Sequence, residues 1–175
     1  MKFLKKLEKG YSPKEKMPLA SYALLTVTFN ALLGMLLKDE SANPSPEIPA
    51  RELVLAGLAT HKLSRFITKD AVTSFIRAPL TRYKEPLGYG ELNEESRREG
   101  FPGAVGEAVS CSYCMSAWVG LGVFWGLKKY PRQTRLVNRL FSVVAVSDFL
   151  HVFYEENRTR ENVLTLEEDR LDRSA

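Results

Sequence analysis

The chain has few of the residues from which active sites and metal centres are commonly built. Its 175 residues include two cysteines and two histidines, so a tetrahedral zinc site of mixed ligands would consume all four. No glycine-rich phosphate loop, HExxH motif or nucleophile elbow occurs. No helical segment carries a continuous basic face interleaved with aromatics, so a net charge of +4 does not indicate a nucleic-acid partner. The sequence predicts no catalytic residue and no cofactor.

Charge is also missing from residues 17–37, which follow a leader at 1–16 with six lysines. A helix rises about 1.5 Å per residue, so this run matches the roughly 30 Å hydrocarbon thickness of a bilayer. Flanking lysines favour the cytoplasmic side. The run is longer than the apolar part of a signal peptide, and no small-x-small cleavage site follows it. We therefore predict a basic cytoplasmic leader at 1–16 and an uncleaved first transmembrane helix at 17–37.

The rest of the chain divides into apolar helices and charged connections. Apolar periodicity predicts further helices at about 51–68, 104–127 and 136–154. A polar loop at 69–103 separates the second helix from the third, and a charged tail occupies 156–175. We predict an all-α fold, a small helical membrane bundle with three to four transmembrane helices in the bacterial cytoplasmic membrane.

The distribution of lysine and arginine leaves two orientations open. With four spans and a cytoplasmic amino terminus, the leader, the polar loop and the tail lie inside. The short segment 128–135, with four basic residues, then lies outside, against the positive-inside tendency. If helix 51–68 only dips into the membrane, this segment moves inside and the polar loop moves outside.

Cys111 and Cys114 form a CxxC pair where the third predicted span begins. Thiols at this spacing near a helix start can pack against neighbouring helices, exchange disulfides, form a structural disulfide or supply half of a metal site. A metal site within one chain would need both histidines as well.

Ionisable residues inside the predicted spans require partners, because an unpaired charge in lipid is costly. Asp148 and His151 lie one helical turn apart and share a face. His61, Lys62 or Arg65 of the second helix can reach them. We expect a polar clamp of His61, Arg65, Asp148 and His151 that holds two helices together, with an ion or proton pathway as the alternative.

A second charged group lies just past the helix at 51–68. It comprises Lys69, Asp70 and Arg77, which can bind lipid headgroups or pair internally through the aspartate. We expect an interface cluster at this place.

Small residues recur within the third predicted span. Gly122 and Gly126 form a GxxxG pair, and Gly120 belongs to a second small-x-x-x-small pair. Such spacing permits close approach of helices, either within one chain or between copies.

Several ordered motifs resemble the YjcA-like family, small bacterial and phage multi-pass membrane proteins of unknown function, one branch of which is labelled sporulation-related. The motifs lie at 58–67, 77–79, 91–95, 105–107, 111–114 and 147–150, with Asp70 and Trp118. The likeness covers roughly residues 50–155 and excludes the first span. It implies a multi-pass membrane domain with no established activity. The family's cysteine motif usually has proline after the first cysteine, where this chain has Ser112, and this affects a redox role.

We therefore expect an integral membrane protein that acts as a structural or interaction component. Its expected partners are membrane lipids and either a second copy or another membrane protein. Two alternatives remain: a membrane thiol-disulfide protein, and a module that binds anionic lipids or a partner through the loop between residues 65 and 98.

Overall fold

A computed structural model describes Tyr11 and residues 18–172, with side chains as far as Val163. Apart from Tyr11, the predicted leader at 1–16 lies outside the described residues, as does the last part of the tail, residues 173–175.

The described chain forms six helices and one two-stranded sheet. In chain order they are α1 (Leu19–Ala42), α2 (Ala50–Thr68), α3 (Ser74–Arg77), β1 (Thr81–Gly88), β2 (Glu91–Ser96), α4 (Gly100–Ser110), α5 (Ser112–Lys129) and α6 (Pro131–Asp172), with a 3-10 turn at Ala71–Thr73 before α3. The fold is mostly helical, but the prediction of a purely all-α protein is wrong because of the sheet.

The sheet is an antiparallel hairpin inside the segment that was predicted as a polar loop. Its turn places Gly88, Tyr89 and Gly90 at φ angles of 87°, 51° and 77°. Glycine adopts such left-handed conformations without steric cost, and two of them flanking the tyrosine allow the chain to reverse. The strands are rich in glutamate and poor in β-branched residues, so their composition does not predict them.

Four helices, α1, α2, α5 and α6, pack side by side as a bundle with two distinct ends. At one end, Lys128 Nζ lies 2.8 Å from Glu40 Oε2 and Arg135 Nε lies 2.9 Å from Glu52 Oε2. We call this the loop end, because it holds the α1–α2 and α5–α6 connections. The other end, the hairpin end, holds the β-hairpin, α3 and α4.

Small side chains fill the spaces between the helices. Ala56, Ala59, Ala104 and Ala145 are buried, whereas α1 has no buried residue at all. Most large apolar side chains of α1 and α6 face outward. Small residues between helices and large apolar residues outside are typical of helices that pack within lipid.

The predicted span at 104–127 is not one straight helix. Helices α4 and α5 meet at 85°, and the break falls at Cys111, whose backbone is extended at φ −111° and ψ 110°. Cys111 Sγ accepts a hydrogen bond from the Cys114 amide at 3.3 Å and so caps the start of α5. Hydropathy is continuous across the break and does not reveal it.

Among the described residues, two helices are long and apolar enough to cross a membrane: Leu19–Ala42 and the Pro131–Val163 part of α6. The bent pair of α4 and α5 would add a third if it counts as one span. Helix α2 is not among them. It carries four charged side chains, Arg51, Glu52, Lys62 and Arg65, within 19 residues.

Candidate functional site: a charged cavity at the hairpin end

A buried arginine holds the hairpin end together. The Arg77 side chain is 1% exposed, and its Nε donates to Glu94 Oε2 at 2.6 Å. Glu94 also accepts from Thr81 Oγ1 at 3.2 Å. A buried charge is tolerated only with a counter-charge and further hydrogen bonds, which both partners have here. The ion pair joins α3 to strand β2.

The remaining donors of Arg77 reach the end of α2. Its guanidinium donates to Ile67 O at 2.8 Å and to Asp70 O at 3.2 Å. Another N–H reaches Thr73 Oγ1 at 2.8 Å. Arg77 belongs to the predicted interface cluster, yet its side chain lies inside the protein, where it cannot meet a lipid headgroup.

The tip of the hairpin is fastened to the same end of α2. The Ala71 amide donates to Gly90 O at 2.9 Å, and the Leu92 amide donates to Lys69 O at 2.8 Å. Arg65 forms a two-pronged ion pair with Glu91, with Nε 2.9 Å from Oε1. These contacts fix the tip beside α2 and leave a space between it and α6.

That space is a cavity of about 700 Å³ bounded by α2, α6 and the hairpin tip. Lys62 lies between two aspartates of the cavity, with its Nζ 2.9 Å from Asp148 Oδ2 and 3.6 Å from Asp70 Oδ2. The Lys62 side chain is 14% exposed, while that of Asp148 is 49% exposed. The His61 ring stacks on Phe149 with centroids 5.6 Å apart. The arrangement is therefore a built recess with fixed charges and an aromatic wall.

All four residues of the predicted polar clamp, His61, Arg65, Asp148 and His151, line this cavity. Their pairing differs in detail, because Lys62 is the cation that meets Asp148, and Arg65 turns to Glu91.

Two carboxylates of the lining, those of Asp70 and Glu91, do not belong to the predicted clamp. Asp70 came from the separate interface cluster, and sequence reasoning gave Glu91 no site role. Glu91 belongs to the motif at 91–95, but only the hairpin brings it beside α2, and the hairpin was not predicted.

The CxxC pair lies apart from the residues that line the cavity. Cys111 is half-buried, Cys114 is exposed, and both are free thiols. Within residues 18–163, no three histidine, cysteine, aspartate or glutamate side chains are arranged to hold a metal ion. A zinc site made of both cysteines and both histidines is therefore not formed in this structure.

The three glycines predicted for helix packing differ in their surroundings. A Cβ at Gly126 would lie 2.6 Å from Thr134 Oγ1, so this glycine allows α5 to approach α6. A Cβ at Gly120 would make an ordinary contact of 3.8 Å with Thr60, and one at Gly122 would meet nothing within 4 Å.

Sequence reasoning also missed a closely packed glycine in α4. A Cβ at Gly106 would lie 2.7 Å from Ser96 Oγ and 2.8 Å from Leu80 O. Gly106 therefore lets α4 press against the hairpin end.

The fold and the cavity define a mostly helical protein with membrane-span-like helices, a small hairpin at one end and a charged recess beside it. A family model described as a protein of unknown function (DUF1360) matches residues 55–154, more than half of the chain, so the chain belongs to this family. No curated protein and no solved structure matches the chain. The match includes every residue that lines the cavity and excludes α1.

Proposed function

We propose that this protein is a multi-pass integral protein of the bacterial cytoplasmic membrane, of the YjcA-like kind, and acts as a structural or interaction component. The observation that carries the membrane placement is α1, an apolar helix of 24 residues with no buried side chain. Exposing such a helix to water along its whole length is unfavourable, and lipid removes that cost.

Helices α2 and α5 enter the membrane with the two apolar helices in this proposal. Helix α2 packs along α6 and α5, so lipid that surrounds α6 also surrounds α2. Its outward residues Leu53 and Val54 are apolar and exposed, while Lys62 turns inward to Asp148. A charged residue in a span is accepted when it faces a partner inside the bundle.

The six lysines of the leader favour an orientation with the amino terminus in the cytoplasm. Segment 128–135 is basic and lies outside in this orientation, against the usual preference. Lys128 lies within 4 Å of Asp39 and Glu40, and Arg135 pairs with Glu52. These contacts give two of the four basic residues a counter-charge in the folded protein.

Membrane extraction tests the placement. Washing membranes with alkaline carbonate should leave the full-length protein in the pellet, and detergent should release it. A protein that is released by carbonate and remains monomeric in buffer without detergent would end the proposal.

Cysteine labelling tests the orientation in a background with both Cys111 and Cys114 replaced by serine. Two exposed positions serve as a matched pair: Glu47→Cys at the loop end and Tyr89→Cys at the hairpin tip. An impermeant maleimide added to intact cells should label position 47, and position 89 only after permeabilisation. The opposite pattern would invert the orientation.

A thiol-disulfide role is a second candidate, favoured by the place of the CxxC pair. Cys111 caps α5, and an amide N–H points at its sulfur, which favours the thiolate. The protein is equilibrated with mixtures of oxidised and reduced dithiothreitol, its free thiols are alkylated, and its mass is measured. We expect a two-electron transition between the dithiol and a Cys111–Cys114 disulfide, and Cys114→Ser should remove it. Two thiols that stay reduced under every poise would exclude this role.

The anionic-lipid alternative has less support, because much of the basic charge near the hairpin is already paired. Three basic residues meet glutamates of β2, in the pairs Arg65–Glu91, Arg77–Glu94 and Lys84–Glu95. Paired cations attract anionic headgroups less strongly.

A further inference from the structure

The cavity at the hairpin end carries an excess of negative charge. Two fixed cations, Lys62 and Arg65, face the carboxylates of Asp70, Glu91 and Asp148. Arg65 is taken up by Glu91, and Lys62 is shared between the two aspartates. The three carboxylates therefore exceed the two cations by one negative charge when the imidazoles of His61 and His151 are neutral. Asp148 is the most exposed of the three, so it offers the acceptor for an incoming cation.

The cavity is unsuited to a bare metal ion. Among the residues with described side chains, no group of carboxylates and imidazoles converges to coordinate a metal. Its volume of about 700 Å³ is far larger than an ion requires and matches an organic ligand. The charge and the size together point to an ammonium group attached to a larger body.

The position of the cavity indicates where this ligand comes from. Its apolar lining residues Ala145, Phe149 and Val152 belong to the part of α6 that is long and apolar enough to span a membrane. Its rim adds Val72, which is apolar and exposed, and Val152 itself is half-exposed. A ligand that enters here meets exposed apolar side chains beside the exposed carboxylate of Asp148. A phospholipid, with acyl chains joined to a polar headgroup, combines the same two properties.

We propose that the cavity binds the headgroup of a zwitterionic phospholipid with a primary ammonium, as in phosphatidylethanolamine. The ammonium donates to Asp148, and the phosphate accepts from the imidazoles of His61 and His151, because Lys62 and Arg65 are already paired with carboxylates. Charge-assisted hydrogen bonds of this kind are the strong ones. An anionic headgroup without an ammonium is disfavoured, because its phosphate brings negative charge to the recess and no cation accompanies it to meet Asp148. This proposal rests on the membrane placement proposed above.

The experiment uses the full-length protein, delipidated in a mild detergent and titrated with lipids of identical acyl chains. Native mass spectrometry counts the lipids that stay bound. We expect the ethanolamine lipid to be retained about tenfold better than the glycerol lipid, the ratio that one hydrogen bond to a charged group supplies. The choline lipid has the same charge but no N–H donor, and it should also bind more weakly. If the glycerol lipid is retained as well as the ethanolamine lipid, the proposal is wrong. If the choline lipid is retained as well as the ethanolamine lipid, the ammonium does not bind through N–H donors.

Two variants connect the selectivity to the cavity. Asp148→Asn keeps the shape and removes the excess charge, and it should abolish the preference for ethanolamine. Glu155→Gln is the matched control, because Glu155 lies two helical turns further along α6, beyond the residues that line the cavity. Val152→Trp fills the half-exposed rim without changing charge and should lower the retention of every lipid. Unchanged selectivity in folded Asp148→Asn protein would contradict the assignment.

A soluble competitor distinguishes a lipid from a free amine. Phosphoethanolamine in millimolar excess should leave the bound lipid in place, because it lacks acyl chains. Complete displacement would assign the cavity to a soluble amine instead. Carbonate-resistant protein without lipid selectivity would refute this inference alone, whereas release by carbonate would refute the membrane placement itself.

Discussion

Replacing Glu94 by glutamine tests whether the hairpin end depends on its buried ion pair. The Glu94 side chain is 5% exposed and accepts from Arg77 Nε at 2.6 Å. In the Glu94→Gln variant the guanidinium keeps its backbone carbonyl partners but loses its counter-charge. Removing one partner of a buried ion pair costs about 3–5 kcal/mol. Because glutamine keeps the shape and one acceptor oxygen, we expect the lower end, about 3 kcal/mol.

Hydrogen exchange measures this loss where it occurs. The Leu92 amide donates to Lys69 O at 2.8 Å, and the Arg97 amide donates to Leu80 O at 3.0 Å, so both report opening of the hairpin. A loss of about 3 kcal/mol increases the open population roughly a hundredfold. Exchange at both amides should accelerate by that factor in full-length protein held in detergent.

The neighbouring glutamate supplies a matched control. Glu95 lies on the same strand, is 43% exposed and pairs with exposed Lys84 at 2.9 Å. Exchange in Glu95→Gln should remain at the wild-type rate, because exposed ion pairs contribute little. Equal exchange in the Glu94 and Glu95 variants would refute the reasoning.

Removing both members of the buried pair separates their attraction from the cost of a lone buried charge. The double variant Arg77→Met, Glu94→Leu has no uncompensated charge, so it should exchange more slowly than Glu94→Gln. Faster exchange in the double variant would show that the arginine's bonds to carbonyls matter more than its charge.

Two further predictions concern packing and charge at the same end. Gly106→Ala brings a Cβ within 2.8 Å of Leu80 O and should lower the melting temperature, whereas Gly122→Ala meets open space and should not; equal melting of both variants would contradict this. The hydrogen bond from Lys84 lowers the pKa of Glu95 below its usual 4.5, so the small contribution of this exposed bond is complete above that pH and is lost as the pH falls through the lowered pKa. NMR titration of the Glu95 carboxyl should give a midpoint below 4.5 that rises towards this value in Lys84→Met, and an unchanged midpoint would exclude the bond.

The sequence predicted best those elements that depend on residues close together in the chain. Helix α2 begins at Ala50, directly after Pro49, and a proline followed by an apolar periodicity is enough to predict the segment 51–68. The rule that a charge in a span needs a partner also pointed to both helices that line the cavity. The rule could not identify the partner of Asp148, because Lys62 and Arg65 are both cations near the end of α2. In the structure Arg65 pairs with Glu91 of the hairpin, and Lys62 pairs with Asp148.

The hairpin itself could not be predicted from its residues. Segment 81–96 has many charges and a proline within β1, and such composition is typical of a loop. The strands are held by contacts distant in sequence, above all between Arg77 and Glu94, and a local pattern does not contain these. The break at Cys111 could not be predicted either, because hydropathy measures how apolar a segment is and contains no information on the direction of the backbone.

The polar contacts between α2 and α6 have a role that the apolar ones cannot fill. Small residues such as Ala59 and Ala145 would permit the helices to slide along each other. Three contacts prevent this at successive levels: Arg135 with Glu52 at 2.9 Å, Ser142 Oγ with Leu55 O at 2.7 Å, and Lys62 with Asp148 at 2.9 Å. A shift of one turn would break all three and leave these charges without their partners. The ion pairs therefore specify the register of α2 against α6, and that register places the cavity beside the hairpin tip.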